Sequence, residues 1–262
     1  MCGIIAMVSR DRENEWGESH LLLTELFVQS ISRGRDATGF AARTEPLDAP
    51  QNVRVITAKS PQPADEFVQT NPFWKNLVRQ RCAAVLGHVR YATSGTPADN
   101  RNNHPFTARL QSGTAFSMVH NGIFLDVRET ADRLSLELET ECDSELACRL
   151  IAASRSFADG LYQCLRQIKG SMALAVLDHR TSTIWAARCN ERPLWVCRLR
   201  GGRRTILCST PKIICDAVQR RLGSFADRVE SIYPLAAGYV HGLTTDGRLI
   251  APYTTSATLE VS

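Results

Sequence analysis

The stretch SMALAVLDHRTSTIWAARCNERPLWVCRLRGGRRTILCST, residues 171–210, decides the fold. It holds four short runs, SMALAVLD, STIWAARC, LWVCRLR and RTILCST, each rich in apolar side chains and each followed closely by the next. Strands spaced so tightly leave no room for the crossover helix that a parallel pair needs, so the pattern predicts an antiparallel meander. Gly201-Gly202, between VCRLR and RTILCS, reads as a two-residue hairpin turn rather than as part of a nucleic-acid-binding RGG segment.

Working outward, residues 2–8, 38–43, 53–58, 83–90 and 114–124 read as strands. A Pro- and Asp-containing loop separates the second from the third, and the last ends in a His-Asn-Gly turn. Helical spacing marks 20–32, 126–135, 144–154, 157–168 and 211–222. A further helical region at 65–81 must break at Pro72, and Asp143 or Ser144 is placed to cap the helix at 144. GYVHGLT and RLIAPY close the chain as a hairpin around Asp246-Gly247. A doubly wound parallel sheet would need strand–helix alternation that is missing here. Two antiparallel sheets faced by helices absorb the order.

The chain has 262 residues, which fits a single domain, and 44% hydrophobic with 22% charged residues is ordinary for a globular protein. Neither a basic-plus-apolar leader nor an apolar run near the ~18 residues of a membrane helix is visible, so a soluble, cytoplasmic protein is expected. Nine cysteines, at 2, 82, 142, 148, 164, 189, 197, 208 and 215, form an odd set without a C-x-x-C pair. They point to a reducing compartment with seven or eight buried thiols, and to neither a disulfide framework nor a metal site. The net charge of +4 is too small to imply nucleic-acid binding, although Arg outnumbers Lys 27 to 4.

The chemistry begins at the opening residues MCGIIA. Once Met1 is removed, Cys2 carries both a thiol and a free α-amine with an ordinary pKa of about 7.7–8.0. A nucleophile and its base then sit in one residue, whereas a lone Met-Cys is otherwise a buried thiol in an edge strand. Three further segments bear on the choice: RGRDATG (33–39), GHVRYATSG (87–95) and VHNGIF (119–124). Each has a plain explanation alone, since Asn-Gly is a common turn signal and an arginine at a strand end is commonly a solvated charge.

Together, and in this order, the four segments resemble the signature of the class II glutamine amidotransferases. These are the N-terminal-nucleophile glutaminase domains found in glucosamine-6-phosphate synthase, amidophosphoribosyltransferase and asparagine synthetase. The resemblance spans roughly residues 2–210 and implies an α+β fold, a four-layer αββα sandwich of two antiparallel sheets flanked by helices. It implies that Cys2 attacks the glutamine side-chain amide, and that Asn121 and Gly122 form the oxyanion hole. By the same resemblance Arg33 is expected beside the nucleophile, Arg90, assisted by Thr93, is expected to hold the substrate carboxylate, and Asp143 in ETECDSE its α-amino group. His104 in NNHPF is expected to brace the site, while His88 and His120 are expected to be core histidines needing no ligand. Ser94 stands where synthase-type members often carry histidine, so loop closure or selectivity is expected to differ.

No cofactor is implied. The resemblance implies glutamine as substrate and glutamate and ammonia as products, and a separate ammonia-accepting synthase subunit is the expected partner, with homo-oligomers compatible with the reading. No P-loop or G-x-G-x-x-G marks an acceptor site within the chain. A stand-alone amidohydrolase of γ-glutamyl conjugates and a non-catalytic binding module are the alternatives.

Overall fold

The computed structural model describes residues 1–46 and 53–253. Most of the loop expected between the second and third strands, and the C-terminal tail, lie outside these residues. The strands are β1 (Gly3–Ser9), β2 (Ala37–Pro46), β3 (Arg54–Ser60), β4 (Gln80–Arg90), β5 (Phe106–Arg109), β6 (Ala115–Phe124) and β7 (Gly170–Asp178). They continue as β8 (Ile184–Arg188), β9 (Trp195–Leu199), β10 (Arg204–Cys208), β11 (Val229–Pro234), β12 (Val240–Leu243) and β13 (Leu249–Tyr253). The helices are α1 (Trp16–Gln29), α2 (Ala64–Thr70), α3 (Pro72–Asn76), α4 (Val127–Arg133), α5 (Ser144–Ala152), α6 (Phe157–Gln167), α7 (Pro211–Leu222) and α8 (Phe225–Arg228).

The strands form two sheets, ordered β11-β9-β10-β1-β4-β2-β3 and β13-β12-β8-β7-β6-β5. Every pairing is antiparallel. The four runs at 171–210 do not form one meander, however. β7 pairs with β8 and β9 with β10, but the two hairpins belong to different sheets, and residues 189–194 carry the chain across. Pro193 has no N–H to continue a ladder, which suits this segment to a crossing. The Gly201-Gly202 hairpin is present, with both glycines at left-handed φ of 89° and 65°, yet its turn spans Arg200–Arg203 rather than two residues.

Side-chain alternation along the strands builds three apolar layers. In β1, Ile5 and Met7 face Leu22, Leu26 and Phe27 of α1 and Ile214 and Val218 of α7. Ile4, Ala6 and Val8 point the other way, into a layer shared with Val119, Ala173, Ala175 and Ala186 of the second sheet. On the far side of that sheet, Phe116, Met118 and Leu174 pack against Leu146 and Ile151 of α5 and Leu161 of α6. The order helix, sheet, sheet, helix is the expected four-layer sandwich. β1 is buried along its whole length because it lies inside one sheet with a covered face on each side.

Boundaries differ in instructive places. α1 begins at Trp16, before the expected 20, because a short 3-10 turn at Glu13–Glu15 leads into it, with the Arg12 N–H donating to Glu15 Oε2 at 2.8 Å. The break at Pro72 is present. Asn71 is extended there and its side chain accepts from the Trp74 N–H at 3.0 Å, capping α3. Six cysteines are buried rather than seven or eight; Cys2, Cys189 and Cys215 are half-buried, and all nine are free. Among the described residues no helix is long and apolar enough to cross a membrane.

Candidate active site

Cys2 immediately precedes β1, the strand flanked by β10 and β4 near the middle of the first sheet. Its sulfur lies 3.4 Å from both Tyr91 N and Tyr91 O, so the thiol donates to the carbonyl and the Tyr91 N–H points at the sulfur. Arg33, on the 3-10 turn after α1, donates from Nε to Cys2 O at 2.7 Å. Gly34 next to it is needed for close approach: a Cβ there would meet Arg90 O at 2.3 Å. Asp36 closes the seam, its N–H donating to Arg90 O at 3.0 Å and its Oδ2 accepting from the Ala92 N–H at 2.7 Å. The RGRD and RYATSG segments thus bind one another across the start of β1.

The electrostatics at the terminus set two groups in opposite directions. Burial pushes the Cys2 thiol above its usual range, against the opposing pull of the Tyr91 N–H, the terminal ammonium and Arg90. Burial lowers the terminal amine, here carried by Met1, with Arg33 and Arg192 adding to the effect. Arg192 was invisible as a site residue in the sequence. It lies on the segment crossing between the sheets, donating from Nε to Ser171 Oγ at 2.9 Å and approaching Met1 Sδ at 3.2 Å through Nη1.

Asn121 and Gly122 do not form a turn. β6 continues through them to Phe124, with Asn121 opposite Ala173 and Gly122 opposite Met172 of β7. A Cβ at Gly122 would meet Ser171 O at 1.9 Å, so glycine is kept there by a neighbouring backbone rather than by a turn. Asn121 is 1% exposed and its Nδ2 has no hydrogen-bond partner. β6 packs against β1 and β4 of the other sheet, which brings the Asn-Gly strand beneath the one that starts at Cys2.

The histidines around this strand are buried. His120 meets Ser144 Oγ through Nδ1 at 2.8 Å and stacks on Phe124 with ring centroids 4.1 Å apart. His88 Nε2 lies 2.8 Å from His120 O, and the His88 ring packs on His104 at 4.1 Å. Burial pulls His88 down to about 3, His120 to about 4 and His104 well below the ordinary value. All three are neutral at physiological pH.

The residues expected to form the substrate clamp are placed as follows. Arg90 is 3% exposed; its Nη1 donates to Asn103 Oδ1 at 2.8 Å and its Nη2 to the carbonyls of Ser94 and of Gly95, the latter at 2.9 Å. Three of its five N–H donors thus hold the Tyr91–Gly95 loop and its neighbour. Asp143 occupies the position before α5, yet its carboxylate does not cap that helix. Oδ2 accepts from the Phe124 N–H at 2.8 Å and Oδ1 from Ser94 Oγ at 3.0 Å. Asp143 therefore ties α5 to the end of β6 and to the loop. A cavity of about 350 Å³ opens beside it, lined among others by Thr93, Ser94, Phe124, Cys142 and Asp143. Cys2, Arg90 and Asn121 are not part of its wall.

Residues 88–216 match a family described as a glutamine amidotransferase domain. The glutamine–fructose-6-phosphate aminotransferase (isomerizing) of Rhizobium meliloti strain 1021 is 33% identical over 206 residues, covering 74% of this chain and 29% of that protein. This part of the chain belongs to the glutamine amidotransferase family. Solved structures agree on the fold of this amidotransferase domain. A glutamine phosphoribosylpyrophosphate amidotransferase from B. subtilis superposes with a TM-score of 0.69 at 18% identity, covering 95% of this chain and 49% of that one. A structure described as the allosteric regulatory enzyme of purine biosynthesis gives a TM-score of 0.69 at 19% identity, covering 94% and 48%. The amidotransferase domain thus spans less than a third of the curated relative and about half of the solved chains.

Proposed function

We propose that this domain hydrolyses the side-chain amide of glutamine, with Cys2 as nucleophile after removal of Met1. The freed α-amine of Cys2 takes the thiol proton, and Sγ forms a bond to the amide carbon while the carbonyl electrons move onto oxygen. The resulting oxyanion is received by Asn121 Nδ2 and the Gly122 N–H. Collapse breaks the C–N bond, ammonia leaves with the proton held by the amine, and water then cleaves the γ-glutamyl thioester to glutamate. Asp143 holds the substrate's ammonium, and Arg90 with Thr93 holds its carboxylate, the guanidinium plane being fixed by the loop carbonyls it already binds. Arg33 keeps the first peptide unit in place through Cys2 O.

The observation that carries this reading is the Asn121 amide. A buried donor left without a partner costs about 1–3 kcal/mol. Retaining one on the strand beneath Cys2 supports a donor reserved for charge that appears only during reaction. The ammonia is, on this reading, passed to a separate acceptor protein; the relatives' name describes nitrogen transfer to fructose 6-phosphate.

Glutamate release from glutamine, measured on protein whose mass shows loss of Met1, tests the proposal. Cys2→Ala should abolish release, and Asn121→Ala should lower kcat by about 10²–10³. Full activity in Cys2→Ala, or an active protein that keeps Met1, would sink the mechanism. A rate that rises only with a particular added protein would establish the acceptor; an indifferent rate would make the domain a plain amidohydrolase.

A further inference from the structure

Ser94 makes a reciprocal pair with Asp143: its hydroxyl donates to Oδ1 at 3.0 Å and accepts from the Asp143 N–H at 3.1 Å. With Oδ2 held by the Phe124 N–H at 2.8 Å and only 8% of the residue exposed, the carboxylate has its direction fixed before any ligand arrives. The same residue is gripped from the other side, because Arg90 Nη2 donates to the Ser94 carbonyl and to Gly95 O. Two residues earlier the loop is held by Asp36 at Ala92 N, and one before that the Tyr91 main chain brackets the Cys2 sulfur at 3.4 Å on both sides. A five-residue loop without regular structure, pinned at both ends to the two halves of the site, has little slack to absorb a shift at one end.

Resting on the glutaminase reading above, we propose that Ser94 is a positioning residue that couples recognition of the substrate's ammonium at Asp143 to the placement of the Cys2 sulfur. The hydroxyl orients the carboxylate toward the cavity that both residues line. Through the loop it also keeps Tyr91 against the thiol. Reacting groups held in alignment are worth orders of magnitude in rate, so a serine that touches neither the amide nor the sulfur can still govern both.

Two measurements on the full chain test this. In Ser94→Ala, KM for glutamine should rise about tenfold, the loss expected for one hydrogen bond to a charged group. KM for 4-carbamoylbutanoate, the same amide without the α-amine, should change far less, because it makes no use of Asp143, whereas kcat should fall on both substrates, because the same sulfur attacks both. Ser94→Thr keeps a hydroxyl on the same carbon and should restore the wild-type ratio. Equal rises in KM on both substrates would reduce Ser94 to a structural brace and overturn the proposal. The second measurement needs no turnover: iodoacetamide labelling of Cys2, followed by peptide mass, should be severalfold faster in Ser94→Ala than in wild type or Ser94→Thr. An unchanged labelling rate in Ser94→Ala overturns the coupling. Should the wild-type protein release no glutamate, the glutaminase reading fails on its own while labelling still decides whether Ser94 governs the sulfur.

Discussion

A thiol and an amine carried by one residue can exchange a proton in a reaction only if the amine is free to accept it. The surroundings of Cys2 favour that state, since burial raises the thiol while burial, Arg33 and Arg192 lower the terminal amine. With the amine carried by Met1, both shifts favour the neutral thiol and the neutral amine over thiolate and ammonium, and the amine of Cys2 is expected to meet the same surroundings once Met1 is removed. A base must be deprotonated to work, so a lowered amine keeps its activity to lower pH. The acid limb of kcat/KM for glutamine should lie below the ordinary α-amine value of about 7.7–8.0. Arg192→Ala removes one of the positive charges that disfavour the ammonium, and should move that limb toward higher pH. A limb that stays in place in the variant would remove Arg192 from the electrostatics of the site. Cys2, Asn121 and Asp143 could be singled out in the sequence because each sits in a short contiguous motif. Arg192 and the Ser94–Asp143 pair were not, because their contacts join residues far apart in the chain and exist only after the sheets pack.

At the scale of elements, the most informative misreading concerns β6. Asn-Gly carries a strong turn signal because both residues tolerate left-handed φ. Gly122 is not left-handed here; it is required because Ser171 O would lie 1.9 Å from a Cβ. A single sequence cannot distinguish these two reasons for a glycine. The distinction makes a prediction: Gly122→Ala should force β6 and β7 apart and destabilise the protein by about 3 kcal/mol or more in denaturant unfolding. A turn glycine without left-handed φ would lose almost nothing on the same change. β5 is not legible because it has only four residues, and β11, VESIYP, because it is an edge strand with two polar residues near its start and a closing proline. The central strands, with long apolar runs and neighbours on both sides, were read to within a few residues. The close spacing of β7 to β10 correctly excluded parallel pairing, but it could not reveal that the chain changes sheets between the second and third of them.

At the scale of the whole molecule, the two antiparallel sheets and the helices that cover them wholly or partly withdraw the histidines from water. All six histidines have their pKa lowered, and burial is the largest cause in every case. The three nearest the site, His88, His104 and His120, are linked by ring packing and by a bond to the main chain, so the folded protein holds them neutral. In the unfolded chain each regains an ordinary value of about 6.5. Below that pH the unfolded state binds protons that the folded state refuses, and stability must fall as pH drops. The contribution is fully present above about 6.5 and is lost progressively until the folded groups themselves protonate, near 4 for His120 and near 3 for His88. At pH 5, each histidine kept neutral should cost on the order of 2 kcal/mol. Urea unfolding should accordingly show a flat midpoint between pH 7 and 8 and a steep decline between 6.5 and 5, above the range where most carboxylates titrate. A midpoint at pH 5 equal to that at pH 7.5 would mean that these histidines find water or a proton acceptor in the folded protein, and the packed neutral cluster of His88, His104 and His120 would have to be abandoned.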